Sequence, residues 1–149
     1  MRIFFECDPA SIRDTQSTIN SVIENVHGGT KWATELSCKI IFEESQYQVP
    51  VDTGTLARSG FYRVERRSEL SKSSYRYRGI IGYGGNNDPV NPKSYQRASH
   101  YARTVHEDLD AYHPNGKAKY LEDPLYDFAS RGELYAVFKE CIKRGIRSI

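Results

Sequence analysis

Between Tyr47 and Thr55 the chain cannot stay helical. Pro50 pushes Val49 toward extended geometry, and Gly54 admits the tight turn that Asp52 and Thr53 favour. The stretch Val49-Pro50-Val51-Asp52-Thr53-Gly54 therefore divides a region of helical period from a region of strand period. Upstream, Asp8 offers an N-cap, and Pro9 sits where a missing N–H costs nothing. Ile12, Ile19, Val22, Ile23 and Val26 recur at helical spacing, and His27-Gly28-Gly29 predicts a stop. Thr30 then caps a second helix running to about Tyr47, with Ala33, Leu36, Ile40 and Tyr47 along one face. Residues 1–6, which include Ile3, Phe4 and Phe5, read as a short strand.

Downstream the period changes. Phe61-Tyr62-Arg63-Val64-Glu65-Arg66 and Tyr75-Arg76-Tyr77-Arg78-Gly79-Ile80-Ile81-Gly82-Tyr83 are rich in aromatic and β-branched residues and alternate with arginine. Joined by the polar residues 68–74, they predict an antiparallel hairpin. The stretch Gly84-Gly85-Asn86-Asn87-Asp88-Pro89-Val90-Asn91-Pro92 is dense in turn formers and nearly free of apolar side chains. Residues 84–98 are accordingly expected to form a flexible arm that orders on a neighbour. Tyr101-Ala102-Arg103-Thr104-Val105-His106 fits a short strand or a helix, and residues 110–116 read as a loop. A terminal helix from Asp123-Pro124 carries Leu125, Phe128, Tyr135, Phe138 and Ile142 on one stripe, with Gly132 inside it. The expected fold is one α+β domain over residues 1–149: N-terminal helices, a small mainly antiparallel sheet, and a C-terminal helix packed on the sheet.

Composition enters mainly by exclusion. The longest apolar runs, such as Ile40-Ile41-Phe42, fall far short of the ~20 residues a membrane helix needs. The opening Met1-Arg2-Ile3-Phe4-Phe5-Glu6-Cys7-Asp8 interrupts with charge where a signal peptide requires an apolar core, so a reducing cytoplasm is the expected site of synthesis. Cys7, Cys38 and Cys141 are an odd set without CxxC spacing and read as small buried hydrophobes. The net charge of +2 conceals a strong asymmetry. Residues 1–57 carry 4 basic and 8 acidic side chains, residues 58–103 carry 10 and 3, and residues 104–149 carry 7 and 8. The basic middle block can face phosphates or an acidic protein surface.

Signatures of catalysis are missing. There is no G-x-S-x-G, and His106-Glu107 is followed at the second histidine position of H-E-x-x-H by Asp110. A looser hydrolytic metal set could draw on His106, Asp108, Asp110 and His113, against the plainer reading of polar loop residues. Gly82-Tyr83-Gly84-Gly85 follows a strand but lacks the G-x-G-x-x-G register and leads into an Asn/Pro-rich arm. In the hairpin of residues 61–83, arginines interleave with Tyr75, Tyr77 and Tyr83, a pattern that could neutralise phosphates and stack on bases. The alternative functions are thus a small nucleic-acid-binding protein or, more remotely, a metal-dependent nuclease.

Two motifs in order point elsewhere. The first is Val49-Pro50-Val51-Asp52-Thr53-Gly54-Thr55-Leu56-Ala57-Arg58-Ser59, placed between a long helix and a hairpin. The second is Tyr101-Ala102-Arg103-Thr104-Val105-His106-Glu107-Asp108, followed by His113-Pro114-Asn115-Gly116-Lys117-Ala118-Lys119-Tyr120-Leu121-Glu122-Asp123-Pro124-Leu125 and a terminal helix. Over about residues 30–149 this resembles the minor capsid and tail-completion proteins of tailed bacteriophages, which sit at the head-to-tail junction. The chain departs from that family's pattern in placing Arg58 one position late, after Ala57, and in its longer Asn/Pro-rich arm.

The resemblance implies a structural virion protein of the phage neck, without enzymatic activity, cofactor or metal. It implies a homo-oligomeric ring, often six-fold, that meets portal, adaptor or stopper proteins on one side and tail tube or terminator proteins on the other. DNA would pass through its channel, and no membrane is involved. Within the motifs, Asp52 and Thr53 can hydrogen-bond backbone N–H groups of the segment beginning at Thr55, while Leu56 anchors in the core. The expected subunit or neck interface comprises Pro50, Asp52, Thr53, Gly54, Leu56 and Arg58, together with His106 and Glu107 of the second motif. It continues through Arg63, Arg66, Arg76 and Arg78 of the basic strands, which would line the channel or, preferably, meet an acidic neighbour, and through Asn87 and Val90 of the arm.

Overall fold

The computed structural model describes residues 8–68, 75–85, 87–110, 112–113 and 115–147, so the strand expected over residues 1–6 and Cys7 lie outside the described residues. Asp8 caps the first helix as its position suggests, accepting hydrogen bonds from the amides of Ala10 and Ser11 at 3.3 Å each. That helix, α1, spans Pro9–Gln48 without a break. The two-helix reading is therefore corrected: His27-Gly28-Gly29 ends nothing. Gly29 is buried in mid-helix, and a Cβ there would stand 2.9 Å from the Cys141 carbonyl oxygen. It is a point of close backbone approach, and the packing gained there overrides glycine's poor helix propensity.

After α1 the chain turns through the Pro50 segment into a single helical turn, α2 (Thr55–Arg58), and then the hairpin of β1 (Gly60–Ser68) and β2 (Tyr75–Tyr83). The strands pair antiparallel with Gly60 opposite Tyr83 and Ser68 opposite Tyr75, as the alternation predicts. Tyr62, Val64, Gly79, Ile81 and Tyr83 share the face turned to α1. There the Tyr62 and Tyr83 rings lie 5.4 and 6.4 Å from Phe42, and the Tyr83 hydroxyl meets Ser45 Oγ at 2.8 Å. The open choice at residues 101–106 resolves as helix: α3 spans Ala98–Glu107.

The C-terminal region forms α4 (Glu122–Ser130) and α5 (Glu133–Arg147) where a single helix was expected. Gly132 separates them in the left-handed region at φ 73°, a conformation that costs a side chain about 1–2 kcal/mol. Gly132→Ala should therefore lower stability by about 1 kcal/mol in urea denaturation, although an alanine inside a continuous helix would raise it. α5 runs back along α1, with Cys141 and Ile142 beside Gly29 and Gly145 beside Asn25, and its Arg144 guanidinium sits 5.7 Å above the Trp32 ring. The α+β architecture is as expected, with the C-terminal helix against α1 and its Leu134 and Phe138 facing Gly79 and Ile81 of the sheet. Cys38 and Cys141 are buried free thiols, both pushed up in pKa chiefly by desolvation. Among the described residues no helix is long and apolar enough to cross a membrane.

Candidate functional site

Val49 closes α1 in extended geometry, its N–H still bonded to the Ser45 carbonyl at 2.9 Å, and Pro50 carries the chain away. Gly54 then takes φ 71° to start α2. This turn drops Leu56 into the core beside Val49 and Tyr120, against which Tyr101, Ala102 and Val105 of α3 also pack. Tyr120 is 2 % exposed, meets the Tyr83 and His106 rings edge-on at 5.1 and 5.0 Å, and donates to the Ala102 carbonyl at 3.0 Å. The core anchor expected at Leu56 is present, and the aromatic residue that joins both motifs to it is Tyr120.

On the outer side of this core the motifs border one cleft of about 280 Å³. Pro50, Asp52, Thr53, Gly54, Thr55 and Leu56 form one wall, and Tyr101, Thr104, Val105 and Asp108 the other. Asn91, Tyr112 and His113 complete the rim. The capping expected of Asp52 does not occur. Its carboxylate pairs with Lys93 Nζ at 2.5 Å, while Thr53 Oγ1 meets Thr55 Oγ1 at 2.7 Å and Arg58 Nη1 donates to the Thr53 carbonyl at 3.2 Å. The amides that open α2 thus get no side-chain cap, because a lysine ammonium is the stronger partner for the carboxylate.

Lys93 belongs to the arm, and the arm is bonded to itself. The Asn91 amide donates to the Gln96 carbonyl at 2.8 Å, the Ala98 amide to the Pro89 carbonyl at 3.0 Å, and Val90 bridges Arg97. Asn87, expected at a neighbour, donates Nδ2 to the Arg58 carbonyl at 3.3 Å, and Val90 is 50 % exposed. Within the described residues, backbone hydrogen bonds and Asx-type bonds from Asn91 Oδ1 link the segment to itself.

Asp88 accepts from the Ser99 amide at 2.8 Å and from its hydroxyl at 2.6 Å, which satisfies the first turn of α3. These two bonds hold its carboxyl below the ordinary value. A lowered folded pKa means that the stabilisation is complete above the unfolded carboxylate value of about 4 and disappears as pH falls through the folded one. Asp88→Asn should accordingly lower the melting temperature by a few degrees at pH 7. The difference from the parent should vanish in acid, as melts at a series of pH values would show.

Next to the cleft, His106 Nδ1 donates to Glu107 Oε1 at 2.9 Å. Lys119 Nζ bridges Glu107 Oε2 at 2.5 Å and Glu122 Oε2 at 2.9 Å. Lys119 lowers the Glu107 pKa with help from His106, and the two carboxylates raise that of Lys119. His106, Glu107 and Glu122 bring ligand atoms within 4.8 Å of one another, but the Lys119 ammonium already supplies the cation between the two carboxylates. The looser set of His106, Asp108, Asp110 and His113 is arranged otherwise: His113 Nε2 donates to the Asp108 backbone carbonyl at 2.6 Å, and Asp108 Oδ1 accepts from the Asp110 amide at 3.1 Å.

The arginines divide between the faces of the hairpin. By register Arg63, Arg76 and Arg78 lie on the outer face and Arg66 on the α1 side opposite Tyr77, so the basic strands do not present one surface. Arg63 is paired with Glu65 at 2.9 Å. On the α1 side Arg66 stands opposite Tyr77, and on the outer face the Arg63 guanidinium lies 5.6 Å over the Phe61 ring, so the rings and cations are divided between two faces. The residues whose roles were missed in the sequence are Lys93, Lys119 and Tyr120, each linked to a partner far along the chain, whereas the Lys119–Glu122 pair is a local i,i+3 contact.

Compared with protein-family models, with curated proteins and with solved structures, the chain matches none, and the cleft is read from its own geometry.

Proposed function

We propose that this chain is a structural subunit of a tailed-phage neck, assembling into a ring that joins the DNA-filled head to the tail. The observation that carries the reading is the convergence of the two motif segments on one cleft, backed by a shared core of Val49, Leu56 and Tyr120. The polar groups around it are engaged in holding the elements together: Asp52 with Lys93, His113 with Asp108, Arg58 with Thr53. A surface of this kind suits docking of a neighbouring subunit. A ring follows when such a heterologous contact closes on rotation. In this reading the protein is a virion component made in the host cytoplasm, without catalysis, cofactor or metal. It contacts portal, adaptor or stopper proteins and tail tube or terminator proteins, with the outer-face arginines toward an acidic neighbour and DNA in the channel.

Mass photometry of the purified chain tests the assembly, and a cryo-EM map of the virion tests the place. The expected result is a closed ring, six-fold by the resemblance, with the cleft at the subunit boundary. A monomer at high concentration whose DNA affinity falls steeply with log salt would replace this reading with the nucleic-acid-binding one.

A further inference from the structure

A second cleft, of about 310 Å³, opens between α1, β2, α4 and α5 and shares no lining residue with the first. Its walls are Ile41, Ile81, Leu121, Leu134 and Phe138, and Leu125, 48 % exposed, stands at its mouth. No charged side chain lines it among the described residues. Ser37 does, and it behaves unlike the other hydroxyl residues of this part of α1. Thr30 and Thr34 donate to the carbonyls one turn back, at 2.8 and 2.9 Å. Ser37 is only 5 % exposed, and its Oγ has no hydrogen-bond partner.

A buried hydroxyl without a partner is costly, and a ligand that pairs with it recovers that cost on binding. The space also has a ligand's scale: an apolar cavity of about 150 Å³ admits benzene, and small-molecule sites begin at about 300 Å³. An ionised group would lose its hydration here with no cation to replace it. We infer that this cleft binds a neutral, mostly apolar molecule of about ten heavy atoms whose single polar group hydrogen-bonds the Ser37 hydroxyl. The inference does not depend on the neck reading, since the two clefts are separate.

Calorimetric titration of the full chain with 2-naphthol, and with 2-naphthoate as its charged counterpart, tests this. One saturable site per chain is expected for 2-naphthol, with 2-naphthoate at least tenfold weaker. Ser37→Ala should weaken 2-naphthol about tenfold. Leu125→Trp, a change at the exposed mouth and so tolerable to folding, should abolish binding, and amide shifts on titration should centre on Gly79 and Leu134. The inference fails if 2-naphthol does not saturate, if the charged compound binds as well, or if either variant binds like the parent.

Discussion

Valine at Gly29 is expected to unseat α5 from α1 and to lower stability by about 2–3 kcal/mol or more. The two helices meet backbone to backbone at this point. An ideal Cβ on Gly29 would stand 2.9 Å from both the Cys141 carbonyl oxygen and the Ile142 Cα, and one on Gly145 would stand 2.5 Å from the Asn25 carbonyl oxygen. Neither obstacle is a side chain that can rotate away, so the helices must separate and lose contacts along their shared face. Gly28 is the internal control, because nothing lies within 4 Å of its Cβ position. Gly28→Ala should stabilise by up to about 1 kcal/mol through helix propensity alone. Urea denaturation of the pair decides the matter: if Gly29→Val is as stable as Gly28→Ala, the close approach is not what holds α5.

Tyr120→Ala should cost about 3–5 kcal/mol, the range for removing a buried aromatic ring. Small domains hold only about 5–15 kcal/mol in total, so this variant should lie near the edge of folding. The ring fills the space between Val49 and Leu56 of the first motif and Tyr101, Ala102 and Val105 of the second, and its loss opens that space from both sides. Tyr120→Phe keeps the volume and gives up only the hydroxyl donated to Ala102, so about 1 kcal/mol is expected. Amide exchange should separate the two variants: in Tyr120→Ala protection falls in α3 and in the Pro50 turn together, while in Tyr120→Phe both stay protected. Loosening of α3 alone would mean that the motifs are held independently.

Local chemistry was enough to place the start of α1, the break at Val49-Pro50, the core anchor at Leu56 and the antiparallel hairpin. Each depends on a few consecutive residues: a carboxylate ahead of proline, a proline that bars helical φ/ψ from its predecessor, a period of two in apolar side chains. The gathering of the two motifs around one cleft was not legible, because Tyr120 and Lys93 reach their partners across long stretches of chain. The glycines make the same division. His27-Gly28-Gly29 looks like a stop and Gly132 like a tolerated helix interior, and the structure reverses both. A glycine's local signal is the same whether it serves a left-handed turn or a neighbour's close approach, and only the position of that neighbour separates the cases. The sequence by itself thus determined where backbone geometry had to change. Only the tertiary structure decided which breaks were overridden by packing, as at Gly29, and which carboxylates found distant cations, as Asp52 and Glu107 did.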